Sequence, residues 1–128
     1  LMKTNPRLTQ DKANWLARQW ASCTLDGEGA ERWAILGDPA HKVINANLFR
    51  ADEMLALYAA IEAPVLAVEA SDDSLRGWWG KRYSLEEYHQ RLKSVKDVRI
   101  ARVDDAGHML HHDQPERVAG LIEDFLGG

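Results

Sequence analysis

Two clusters of side chains have types and spacing that could do chemistry. The stretch EASDDS, residues 69–74, supplies carboxylates at Asp72 and Asp73. The stretch DDAGHMLHHD, residues 104–113, supplies imidazoles at His108, His111 and His112. A carboxylate beside an imidazole fixes the ring tautomer and stabilises the protonated ring, which is what a general base in acyl transfer needs. The blander reading of His108 is a loop histidine satisfied by nearby carboxylates. Adjacent acids leave the register open between Asp72 and Asp73, with Asp73 the expected partner. A metal set of His108, His111, His112 and Asp113 matches no zinc signature, so no metal and no cofactor are expected. Trp78 and Trp79 follow the acids closely. They would wall an acyl or leaving-group pocket, or cover a sheet edge.

Such loops need elements to hold them. PVLAVEA, residues 64–70, is a short continuous apolar run, as in a strand buried on both faces of a parallel sheet. SLEEYHQRLKSV, residues 84–95, reads as a helix opened by a Ser84/Glu87 capping box. VRIARV, residues 98–103, reads as a second strand. PERVAGLIEDFL, residues 115–126, is a helix with proline in its first turn, and Val118, Leu121, Ile122 and Phe125 form its apolar stripe. Strand, helix, strand, helix implies a parallel sheet with a right-handed crossover. In an open parallel sheet, functional groups gather at the carboxyl ends of the strands, and both clusters lie there.

The first half reads as mostly helical, with no strand. LTQDKANWLARQWAS carries a stripe of Ala13, Leu16, Ala17 and Trp20 behind a Thr9 cap. TLDGEGAERWAILGDPAHK, with three glycines and a Gly-Asp-Pro, reads as irregular or short-helix structure. RADEMLALYAAIEA, with Met54, Leu57, Tyr58 and Ile61 on one face, is a helix ended by Pro64. Helix-to-helix packing is the expectation for Trp20, and Met109 and Leu110 are expected beneath the histidine loop. Two parallel strands make a poor sheet with unpaired edges, so the sheet is expected to continue in another chain or segment.

IEAPVLAVEASDD, then a helix, then VRIARVDDAGHMLHHDQPERVAGLIEDFL, resembles the C-terminal third of the α/β-hydrolase fold. The resemblance implies that Asp73 is the triad acid and that His108, behind Gly107, is the triad histidine. It also implies that residues 1–61 are a helical lid or cap and residues 62–128 the C-terminal β-α-β-α part of an incomplete α/β core. The family's nucleophile elbow, G-x-S-x-G, is absent: Ser22, Ser71, Ser74, Ser84 and Ser94 all lie outside that frame. The oxyanion-hole loop that precedes the elbow is missing as well. The expectation is therefore a hydrolase fragment that supplies acid and histidine for a small ester or acyl substrate, inactive alone. Its partner would be the missing N-terminal half, or a copy of itself through the open sheet edge. An inactive association module, and an epoxide or haloalkane hydrolase with an Asp nucleophile elsewhere, stand as alternatives.

Composition bounds these readings. The 128 residues carry 16 Lys and Arg against 20 Asp and Glu, a net charge of -4, which argues against a nucleic-acid partner. No run of apolar residues is long enough to span a membrane. The lone cysteine, Cys23, has no partner for an internal disulfide. The chain opens on Leu1 and no targeting segment precedes the first helix, so a truncated or processed chain is the expectation. The missing segment then says nothing of the parent protein's compartment, and cytoplasmic placement is the default expectation.

Overall fold

Thr9 ends an irregular start and opens helix α1, Gln10–Trp20, its hydroxyl accepting from the Lys12 amide. Strands β1, Ala21–Leu25, and β2, Glu31–Ile35, follow as an antiparallel hairpin in which Cys23 faces Trp33. A short 3-10 turn, Pro39–Lys42, is capped by Asp38. Helix α2, Ala51–Ala59, leads to strand β3, Val65–Ala70. Helices α3, Ser74–Trp79, and α4, Leu85–Leu92, connect it to strand β4, Val98–Val103. A single turn, α5, Leu110–Asp113, precedes the last helix, α6, Pro115–Gly127. This computed structural model describes residues 1–72 and 74–128, apart from the side chains of Ser74, Leu75 and Trp78. The chain forms two compact units, Leu1–Leu48 and Phe49–Gly128, so α2 lies in the unit that holds the parallel strands.

In the first unit Leu8, Ala13 and Leu16 form a small buried cluster. The stripe predicted on α1 is buried only in its first half: Ala17 is exposed, and Trp20, expected inside, is 41% exposed. The reading of residues 1–61 as helical without strands is corrected by β1 and β2. The DGEGA segment, residues 26–30, is the turn of this hairpin, and Asp26 at its start organises it. The Asp26 carboxylate accepts from the Ala30 amide at 2.9 Å, the Arg32 Nε at 2.9 Å and the Glu28 amide at 3.0 Å. Those donors hold its pKa below the ordinary aspartate value, the Ala30 amide first. Gly29, at φ 80°, takes the left-handed conformation that closes the loop.

In the second unit β3 and β4 pair in parallel from Val65↔Val98 to Ala70↔Val103. Leu66, Val68, Ala70 and Ala101 pack with Val103, Ala106 and Leu121, and Val118 joins them from α6. On the opposite face the Glu69 carboxylate meets His89 Nε2 of α4 at 2.6 Å. The two helices thus cover opposite faces of the pair. The run in β3 was expected to be buried throughout, yet every residue of it is only half-buried. The reason lies beside it: among the described residues β4 is its sole neighbour in the sheet. Ser84 caps α4 as predicted, accepting from the Glu87 amide. Helix α3 has no counterpart in the sequence reading. No described helix is long and apolar enough to cross a membrane.

Candidate functional site

Equal register at the ends of β3 and β4 brings the two chemistry-bearing loops to one rim. Ser71, the first residue after β3, makes the junction. Its hydroxyl accepts from the Ala106 amide at 3.2 Å and donates to the Ala106 carbonyl at 3.2 Å. Its own amide donates to the Val103 carbonyl at 2.8 Å, and the Asp72 amide donates to the Ala106 carbonyl at 3.1 Å. Ala106 is fully buried, so these bonds are the means by which its backbone groups escape being stranded away from water.

The histidine loop is tied on its other side by α5 and α6. The Gly107 amide donates to Asp113 Oδ2 at 2.9 Å. The Gln114 side-chain amide donates to the Asp105 carbonyl at 3.2 Å. Asp105 itself adopts a φ of 51°, a left-handed conformation that aspartate tolerates better than most residues. Three successive residues, Asp105, Ala106 and Gly107, are therefore pinned immediately before His108.

His108 sits exposed at this rim and is not without a partner. Asp73, named as the acid from sequence, lies outside the described residues, as does the side chain of Trp78. Asp72 is exposed beside Ser71. Met109 and Leu110 are half-buried, and Leu110 packs against the core under the loop. The rings of His111 and His112 meet edge to face, their centroids 4.2 Å apart. Asp113, a possible ligand in the metal reading, instead holds the Gly107 amide. Among the described residues no cluster of three or more His, Cys, Asp or Glu side chains is arranged to hold a metal ion.

Trp79 lies elsewhere. It lines a cleft with residues of α2 and α4 that no described residue of the two loops touches. Sequence reasoning missed three contributors to this unit: Ser71 as the loop tie, Asp113 as the Gly107 anchor, and the half-buried Glu69–His89 pair. Ser71 carried a usable signal, since a small hydroxyl residue directly after a strand commonly bonds neighbouring backbone. The Glu69–His89 pair carried none, because contact across twenty positions depends on the crossover geometry. Comparison of the chain with protein-family models, with curated proteins and with solved structures gives no match in any of the three.

Proposed function

We propose that this chain supplies the acid and the histidine of a nucleophile–histidine–acid triad, in the manner of the C-terminal part of an α/β hydrolase, for cleavage of a small ester or acyl substrate. The observation that carries the reading is the tie of Ser71 to Ala106, which joins the loop leading to Asp73 with the loop bearing His108. In this reading Asp73 sets the His108 tautomer and stabilises its imidazolium. His108 takes the proton of an attacking hydroxyl and returns it to the leaving group. No serine of this sequence stands in the G-x-S-x-G frame. The nucleophile and the oxyanion donors therefore come from polypeptide outside these residues, which would extend the sheet beyond β3 and β4.

The test begins with the chain by itself. A carboxylate beside an imidazole fixes which ring nitrogen carries the proton, so Asp73→Asn changes the His108 tautomer read from its imidazole nitrogen NMR shifts. Asp72→Asn disturbs the tautomer less. Hydrolysis of p-nitrophenyl esters by the isolated chain stays at the imidazole background. A protein that joins this chain to an upstream nucleophile elbow turns them over, and His108→Ala abolishes that turnover. A His108 tautomer indifferent to both aspartates sinks the reading, as does ester turnover in the joined protein that survives His108→Ala.

A further inference from the structure

A cleft of about 740 Å³ opens on the flank of the second unit, bounded by α2, the end of α3 and α4. Its size falls in the range of small-molecule sites. Met54, Leu55 and Tyr58 of α2 form one wall, with Phe49 at the edge. Trp79, Tyr83 and Tyr88 also line it, so half of the lining residues carry flat rings. The chain reverses at Gly80, whose φ of 59° suits a residue without a side chain, and this turn brings Arg82 and Tyr83 to the cleft.

The charges in this cleft are uneven. Arg91 lies with its Cζ 4.6 Å from the Tyr83 ring centroid and is paired with Glu87, so its charge is already balanced. Arg82 is different: among the described residues its guanidinium has no ion-pair or hydrogen-bond partner, and no carboxylate lines the cleft. Burial raises the Tyr83 and Tyr88 pKa values above the ordinary tyrosine value. Both phenols therefore stay neutral at physiological pH and keep a hydroxyl proton to donate. An aromatic box with one unmatched planar cation suits a flat apolar body that ends in a single carboxylate, which a guanidinium can take in two parallel hydrogen bonds.

We propose that this cleft is a binding site for small aryl or arylalkyl monocarboxylates, with Arg82 taking the carboxylate and the Tyr58, Trp79 and Tyr88 rings enclosing the apolar body. The proposal does not rest on the hydrolase reading. No described loop residue lines the cleft, and binding requires no turnover.

The probe set is phenylbutyrate, phenylbutanol and phenylbutylamine, titrated calorimetrically into the intact chain. Side-chain NMR signals of Trp79 and Tyr88 report the location. Phenylbutyrate binds saturably, one per chain, and shifts those signals. Phenylbutanol binds about tenfold more weakly, the usual loss when a charge-assisted hydrogen bond is removed. The amine binds more weakly still. Arg82→Gln brings the acid down to the level of the alcohol and leaves the alcohol unchanged. Lys81→Gln, which removes the neighbouring exposed cation, leaves all three affinities in place. Equal binding of acid and amine overturns the proposal, as does an equal loss in Lys81→Gln and Arg82→Gln. The absence of saturable binding overturns it too. So does a dimer, seen by sedimentation velocity, that buries Trp79 and excludes the probe.

Discussion

One hydroxyl makes two of the hydrogen bonds that join the two loops of the candidate triad. Ser71 Oγ sits 3.2 Å from both the amide and the carbonyl of Ala106, whose surface is fully buried. Ser71→Ala leaves the Ala106 amide without that acceptor and without water. A buried donor so stranded costs about 1–3 kcal/mol. The variant is expected to lose stability in that range in urea denaturation, and the Ala106 amide is expected to exchange with solvent faster. Ser71→Thr, which keeps the hydroxyl, recovers most of the loss. Unchanged Ala106 exchange in Ser71→Ala would show that the loops are held together by something else. The same residue shows what a single sequence can and cannot reveal about a site. The strands that end at Ala70 and Val103, the Gly107-His108 step and the carboxylates after β3 were all legible, because each is a local pattern. That the Ser71 hydroxyl would bond the histidine loop was not. The bond joins residues 35 positions apart and depends on the pairing register.

Elements that bury a face announced themselves in the sequence, and elements that bury nothing did not. Helices α4 and α6 and both parallel strands begin and end close to where capping, proline and apolar runs put them. The hairpin of β1 and β2 escaped notice because every residue of β2, and all of β1 except Ala21, is exposed. Without a buried side there is no two-residue alternation to read, and only the glycines of its turn stood out. Periodicity also overstated burial on α6. Leu121 and Ile122 belong to one predicted stripe, yet Leu121 is 7% exposed and Ile122 is 44% exposed. Leu121 packs against Val103 and Ala106 at the base of the histidine loop. Leu121→Ala therefore costs about 2–3 kcal/mol, toward the lower part of the usual range for a buried leucine. Ile122→Ala costs less than about 1 kcal/mol. Chemical denaturation followed by circular dichroism distinguishes the two. Equal losses would mean that α6 seats its stripe symmetrically, against the burial seen.

At the scale of the whole molecule the two units differ in what holds them and in what titrates. The first rests on the small cluster of Leu8, Ala13 and Leu16, and the second on a larger one built around Val103, Ala106 and Leu121. A unit with so little buried surface unfolds at the lower temperature. All three tyrosines, Tyr58, Tyr83 and Tyr88, belong to the second unit, so tyrosinate absorbance reports on that unit alone. The pKa values of Tyr83 and Tyr88 are raised above the reference 10.0, first by desolvation. A raised pKa means that the folded unit holds its phenolic protons more tightly than the unfolded chain does. The resulting stability is complete below about pH 10 and is lost as the pH climbs through the raised values. Thermal melts are thus expected to show the second unit's midpoint falling with alkali above about pH 10, with tyrosinate forming in the same transition. Tyr88→Phe removes one of the two titrating groups and makes that fall shallower. The first unit has no tyrosine, so its midpoint is unaffected by the substitution. If Tyr88→Phe melts with the same alkaline slope as the parent chain, the buried phenol is not what ties this unit's stability to pH.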